Sequence, residues 1–139
     1  MSQENVKVVR AIWDAWNAGD MDAVRALYDP DVITRPPEDW PEPGPWIGVE
    51  TLMRQWEQQR ETWDSDELIL VDHSNDVGDL VAWRFIWRGA GHGPEAELDL
   101  SCVARMRKGR IFYQEFFWDY AEALEILGLS EQDAHIGLS

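Results

Sequence analysis

The second half of the chain reads as a series of β-strands, and this pattern limits the fold more than any other feature. Residues 80–88 and 95–106 alternate between two sets of side chains, so each set occupies one face of an extended strand. Lys108-Gly109 is a tight-turn signal that joins the second of these strands to a further strand at 111–118. Residues 68–71 are apolar and predict a buried strand. An antiparallel sheet is therefore expected.

The first half repeats its apolar residues at helical spacing. Ser2 can cap a first helix that ends at Ala18-Gly19-Asp20, and Asp20 can cap a short second helix. The other predicted elements are a strand at 32–34, a proline-rich loop at 36–46, a helix at 49–63, a turn at 73–76, and a helix at 120–127 between Asp119 and Gly128. Helices followed by hairpin-linked strands predict an α+β fold.

Length and composition indicate one domain over residues 1–139, with its core at about 4–129 and a C-terminal tail at 130–139. Hydrophobic residues make up 45% of the chain, which is enough for a folded core. The net charge of −15 would repel nucleic-acid phosphates and anionic membranes, so neither partner is expected. One cysteine, no secretory signal and no membrane-spanning run predict a cytoplasmic protein. No metal-ligand spacing or phosphate loop is visible, so no cofactor is expected.

Nine tryptophans are unusual for a chain of 139 residues. Indole rings supply large, stiff apolar surface, and a core this small does not readily bury them all. Some of them are therefore predicted to line a cavity for a hydrophobic small molecule. The loop at 36–46, which carries Trp40 and Trp46, is the hypothesised lid of that cavity.

The strand at 111–118 carries aromatic side chains on both faces. Phe112, Phe116 and Trp118 share one parity, whereas Tyr113 and Phe117 share the other. A half-exposed antiparallel strand should instead show one polar face. This pattern predicts a homodimer in which a second subunit covers the outer face.

Several short motifs recur in an order typical of one family. They are Glu4-Asn5-Val6-x-x-Val9-Arg10, Trp16-Asn17-x-Gly19-Asp20, Asp29-Pro30-Asp31-Val32, Gly48, Lys108-Gly109-Arg110-Ile111 and Asp119-x-Ala121-Glu122-Ala123-Leu124. The chain resembles the SnoaL-like branch of the nuclear transport factor 2-like superfamily over about residues 4–129. The resemblance implies a curved antiparallel sheet wrapped around N-terminal helices as a cone-shaped α+β barrel, usually dimeric.

The catalytic sets of two branches of this superfamily are incomplete here. The positions that correspond to the tyrosine and two aspartates of ketosteroid isomerases fall on Ile12, near Pro36 and on Cys102. Enolisation needs a base and an oxyanion donor, so steroid isomerisation is not expected. Epoxide hydrolases of this kind need an arginine and two aspartates, which fall approximately on Arg84, Ile86 and Phe116. If this approximate alignment is displaced by one or two residues, epoxide hydrolase activity remains an alternative.

Three candidate residues have competing interpretations. Cys102 lies between apolar neighbours and is interpreted as an inert thiol, not a nucleophile. Arg84 either points outward or places a cation in the cavity, depending on the sheet register. Gln114 shares parity with Phe116, which predicts a polar group among cavity aromatics. The full set predicted to line the pocket is Ile12, Trp16, Trp40, Trp46, Trp56, Arg84, Cys102, Gln114, Phe116 and Trp118.

These observations favour a small-molecule-binding protein with an apolar, tryptophan-lined cavity. Isomerase, cyclase or dehydratase activity on a hydrophobic metabolite is the enzymatic form of this hypothesis. A non-catalytic dimeric binding or interaction module is the main alternative, and an epoxide hydrolase-like enzyme is a further one.

Overall fold

The computed structural model describes residues 2–91 and 95–128, with side chains from residue 5 onward except those of 72–74. The helices are α1 (Ser2–Asn17), α2 (Met21–Ala26), α3 (Val49–Arg60) and α4 (Tyr120–Leu127). The strands are β1 (Tyr28–Arg35), β2 (Trp46–Ile47), β3 (Ser65–Val77), β4 (Leu80–Ala90), β5 (Ala96–Arg107) and β6 (Arg110–Phe117). In the described part of the chain, no helix has the length and apolar character needed to cross a membrane. The side chain of Ser2, which was predicted to cap the first helix, and the tail at 130–139 lie outside what is described.

All six strands form one curved, open sheet in the order β2-β1-β6-β5-β4-β3. The β3–β4, β4–β5 and β5–β6 pairs are antiparallel, and the Lys108-Gly109 turn joins the last pair as predicted. β1 lies parallel to β6, so the sheet is mixed and the expectation of a fully antiparallel sheet was wrong at this pair. Hairpin signals identify strands that are neighbours in sequence, and they carry no information about this long-range pairing. The predicted α+β cone is confirmed.

Side chains at the end of α1 explain the Asn-x-Gly-Asp motif. The Asn17 side chain donates to the carbonyl of Leu68 at 3.0 Å and accepts from its N–H at 2.8 Å, which ties α1 to β3. Gly19 adopts a φ of +75°, a conformation that favours glycine, and Asp20 caps α2 by accepting from Ala23 N–H. The motif therefore ends one helix, fixes it to the sheet and starts the next.

The inner face of the sheet packs against α1 and α3. Aromatic and aliphatic side chains from both helices meet a continuous apolar surface on the sheet. The main contributors are Val9, Ile12, Trp13 and Trp16 of α1, Leu52, Met53 and Trp56 of α3, and Trp83, Phe85, Trp87, Leu100 and Ala104 of the sheet. This packing forms the interior of the cone.

The outer face of the sheet is partly covered by α4. Ala123 and Leu127 of this helix pack on Ala82 and Val103, and Phe117 packs against the same cluster. Asp119 and Gly128 cap the helix as predicted. Phe117 lies on the outer face of the sheet, and its apolar side chain helped to predict a second subunit. Contact with α4 and its cluster accounts for this residue within one chain.

Two element boundaries differ from the prediction. Residues 73–76 form no turn, because β3 continues to Val77 and pairs Asn75 with Ala82. The register shifts between Val71 and Asn75, so the polar cluster marks an irregularity within the strand. The helix predicted at 49–63 ends at Arg60, and Trp63 lies in the turn that follows.

Candidate functional site

The interior of the cone contains a partly open cavity of about 40 Å³. Its walls come from α1, α3 and five strands, and most of the side chains are aromatic. They are Ile12, Trp13, Trp16, Tyr28, Trp56, Leu68, Trp83, Phe85, Trp87, Leu100, Gln114 and Phe116. Ligand pockets usually measure roughly 300–1,000 Å³, so indole rings occupy most of the space that a ligand would need.

Trp56 is the centre of the aromatic packing. Its ring forms edge-to-face contacts with Trp46 at 5.6 Å, Trp87 at 5.8 Å and Phe116 at 5.4 Å between centroids. A fourth edge-to-face contact joins it to Trp16 at 6.3 Å. Aromatic rings prefer this geometry because the positive edge of one meets the negative face of another. The rings therefore hold each other in defined orientations.

A buried polar pair interrupts this apolar lining. The Tyr28 hydroxyl donates to Oε1 of Gln114 at 3.3 Å, and Nε2 of Gln114 donates to the Thr34 hydroxyl at 3.1 Å. Burial strongly raises the pKa of Tyr28, so its phenol stays neutral at neutral pH. Among the described residues that line the cavity, none is a carboxylate, an imidazole or an amine. The cavity therefore offers hydrogen bonds but no charged base.

A buried carboxylate lies just behind the cavity wall. Oδ2 of Asp66 accepts hydrogen bonds from the indole N–H groups of Trp16 at 2.8 Å and Trp87 at 2.7 Å. Its Oδ1 accepts from Nε of Arg60 at 2.9 Å. Only 5% of the Asp66 side chain is exposed. All three of its partners are donors, so both carboxylate oxygens accept hydrogen bonds.

The predicted pocket residues fall into several locations. Ile12, Trp16, Trp56, Gln114 and Phe116 line the cavity. Trp46 is buried on the far side of Trp56, and Cys102 is buried on the inner face without lining the cavity. Arg84 lies on the outer face, where Asp99 accepts from its Nε at 3.0 Å and its Nη2 at 2.6 Å. Trp40 and Trp118 lie outside the cone, with centroids 6.1 Å apart.

Desolvation governs the chemistry of Cys102. Full burial raises the pKa of this thiol well above its usual range, and a hydrogen bond from the Glu115 backbone offsets that only in part. The thiolate is the reactive form of cysteine. The protein therefore holds Cys102 in its unreactive form at neutral pH.

A second concave space lies beside the proline-rich loop. This groove measures about 550 Å³ and is lined by Arg35, Pro36, Glu38, Gly44, Glu115, Phe116, Phe117, Trp118, Asp119 and Glu122. The Trp118 indole is 46% exposed, and its N–H donates to the Glu38 carbonyl at 2.8 Å. The groove is thus acidic with one exposed aromatic platform, in contrast to the interior cavity. In the described parts of the chain, no group of three or more His, Cys, Asp or Glu side chains is arranged to hold a metal ion.

Tyr28 and Asp66 are polar site residues that the sequence pattern did not identify. The predicted set also lacked six apolar residues that line the cavity, namely Trp13, Leu68, Trp83, Phe85, Trp87 and Leu100. Tyr28 precedes the strand predicted at 32–34, although it shares parity with the buried residues Val32 and Thr34. Extending that strand backwards would have placed the phenol on the inner face. Asp66 precedes an apolar run, and the sequence alone gives no signal that two distant indoles converge on it.

Comparisons with known proteins agree with this architecture. Residues 9–114 match the SnoaL-like domain family. IdmH from Streptomyces antibioticus, a proposed polyketide cyclase, is 24% identical with a TM-score of 0.70, over 90% of this chain and 99% of IdmH. An NTF2-like protein of unknown function from Burkholderia pseudomallei is 22% identical, with a TM-score of 0.72 over 91% of this chain and 98% of that one. TerC, crystallised with polyporic acid, is 18% identical, with a TM-score of 0.72 over 91% and 99%. A sequence comparison with curated proteins gave no match.

Proposed function

This chain belongs to the SnoaL-like domain family, and from that premise we propose that it binds a small, largely apolar molecule inside the cone. The observation that carries the proposal is the Tyr28–Gln114 pair within an otherwise apolar lining. A few polar groups in an apolar pocket are the usual means of orienting a ligand. The expected ligand is uncharged, with one hydrogen-bonding group at this pair.

The absence of charge along the lining supports an uncharged ligand. A charged ligand would lose its hydration, and the described cavity-lining residues supply no counter-charge to compensate. The Trp13 indole N–H adds a further donor, because it is buried and has no acceptor among the described residues. A carbonyl or hydroxyl oxygen on the ligand would match these donors.

An enzymatic role on a hydrophobic metabolite is the second candidate. The neutral Tyr28 phenol would donate to a carbonyl oxygen once its O–H turned from Oε1 of Gln114 to the ligand, and such a donor is one requirement of cyclase, isomerase or dehydratase chemistry. The likeness to IdmH, a proposed polyketide cyclase, is the reason to keep this candidate. The epoxide hydrolase alternative gains no support, since Arg84 lies outside the cone and pairs with Asp99.

The groove beside residues 36–46 is the other location where a ligand could bind. Its 550 Å³ is within the size range of ligand pockets, and its carboxylates and exposed Trp118 would favour a cationic apolar molecule. Trp40 of the proposed lid lies against Trp118, so closure of the loop would act on this groove. The two locations predict different ligand charges.

The Tyr28→Phe variant distinguishes binding in the cavity from binding in the groove. Wild type and variant are each titrated with two neutral probes, naphthalene and 2-naphthol, and binding is followed by fluorescence. Loss of one hydrogen bond of about 1 kcal/mol should weaken 2-naphthol binding about fivefold, with naphthalene affinity unchanged within about twofold. Tyr113→Phe, which removes a hydroxyl from the outer side of β6, is the matched control and should alter neither affinity. An affinity for 2-naphthol that is unchanged in Tyr28→Phe but lost in Trp118→Ala would assign the ligand to the groove and contradict the proposal.

A homodimer through the outer sheet face is proposed as the assembly. Ile69 and Ile86 pair there with half-buried side chains, and the Arg84–Asp99 ion pair flanks them. Sedimentation at micromolar concentration should give about twice the 16.1 kDa chain mass. Ile86→Arg would place a charge in the interface and should give monomers. Ile126→Arg on the exposed side of α4 is the control, and a monomeric wild type would refute the assembly.

A further inference from the structure

One buried carboxylate fixes two of the indoles that close the cavity. Trp16 lies on α1 and Trp87 on β4, yet both N–H groups donate to the same oxygen of Asp66. Their rings meet edge-to-face with centroids 5.3 Å apart, and both line the cavity. The position of each ring thus depends on the same acceptor atom.

Arg60 completes this arrangement from the end of α3. Its Nε donates to the other oxygen of Asp66, and its guanidinium lies over the Trp16 ring at 4.6 Å from the centroid. Its Nη1 also lies 3.0 Å from Sδ of Met21 on α2. The Asp66 carboxylate therefore connects α1, α3 and β4 to its own strand, β3, at one end of the cavity.

Widening the cavity at this end would require one of the two indoles to turn away. That movement would break a charge-assisted hydrogen bond in a site where water does not readily replace it, because Asp66 is almost fully buried. Asp66 does not itself line the cavity, and both of its oxygens have partners. Its effect on a ligand would therefore act through the indoles.

We propose that Asp66 is a positioning residue that sets the width of the cavity and so determines which ligands enter it. The cavity of about 40 Å³ is smaller than one aromatic ring needs, so any ligand must displace some of the lining side chains. The hydrogen bonds from Trp16 and Trp87 to Asp66, here called the clamp, limit that displacement to what a compact ligand of one or two rings requires. Release of the clamp admits larger polycyclic ligands, because Trp16 and Trp87 can then separate. This inference rests on the proposed function, since it concerns selectivity within the same cavity.

Asp66→Leu tests the clamp, because leucine keeps the branched shape of the side chain but offers no acceptor to either indole N–H, whereas the single oxygen of asparagine could still accept from both. Naphthalene and pyrene are titrated against wild type and variant, and the ratio of their dissociation constants is the readout. The ratio should shift about tenfold in favour of pyrene. Asp99→Leu is the matched control, because it removes an exposed carboxylate on the outer face and should leave the ratio unchanged.

A second pair of variants keeps the test decisive if Asp66→Leu does not fold. Trp16→Phe removes a donor to Asp66, whereas Trp83→Phe makes the same change at a cavity-lining indole that is not bonded to Asp66. A larger shift toward pyrene in Trp16→Phe than in Trp83→Phe supports the clamp. Equal shifts, or an unchanged ratio with naphthalene binding intact, overturn it. Failure of every protein to bind either probe would instead overturn the proposed function, and this inference with it.

Discussion

Trp56→Ala is expected to lower the free energy of unfolding by about 4 kcal/mol, as measured by urea denaturation followed by far-UV circular dichroism. Trp56 is almost fully buried at the centre of the cone. Its ring forms edge-to-face contacts with Trp16, Trp46, Trp87 and Phe116. Its removal leaves a large void, and the four surrounding rings cannot fill it completely, because densely packed interior side chains relax only in part.

Trp118→Ala is the control for this prediction. Trp118 has the same side chain, but it is 46% exposed, and Trp40 is the one aromatic ring among the described residues that it contacts. Its loss should lower the free energy of unfolding by about 1 kcal/mol or less, because little apolar area returns to water. A similar loss in both variants would contradict the view that the indole cluster organises the core.

Gly89→Ala is expected to lower the free energy of unfolding by about 3 kcal/mol. The Trp63 ring packs directly over the backbone of Gly89, and a Cβ there would overlap the indole. The ring cannot yield locally because it also packs edge-to-face on Trp87, with centroids 5.3 Å apart. The chain must therefore expel Trp63 or distort β4. Thermal and urea unfolding would both measure the loss.

A double-mutant cycle isolates the cause of that loss. In a Trp63→Ala background the space above Gly89 is empty, so Gly89→Ala should cost less than about 1 kcal/mol. An equal cost in both backgrounds would place the effect in the β4 backbone and refute the close approach. Gly78 and Gly109 differ from Gly89, because a Cβ at either position would meet no neighbouring atom. Their φ values of +61° and +76° show that conformation, not contact, explains glycine there.

Local chemistry in the sequence determined the secondary structure and the fold class. The alternation at 80–88 and 95–106 predicted β4 and β5, and Asp119 and Gly128 predicted both ends of α4. These signals depend on neighbouring residues, so they can be read without the partner elements. The ordered motifs led to the SnoaL-like family, which the match over residues 9–114 confirmed.

Tertiary structure alone decided which strands and side chains meet. The parallel β1–β6 pairing, the position of α4 on the outer face and the Asp66 clamp join residues far apart in the chain. Parity assigns a residue to a face of its strand, but it does not specify what lies opposite. Gln114 was predicted among aromatics, whereas its partner Tyr28 lies 86 residues away.

The size of the cavity depended most on tertiary packing. Nine tryptophans predicted abundant apolar surface, but the angles at which the rings meet determine how much space remains between them. Edge-to-face packing around Trp56, with two indoles fixed by Asp66, leaves about 40 Å³. Composition sets the volume of the side chains, whereas the backbone positions of α1, α3 and β4 set the volume that they have to fill.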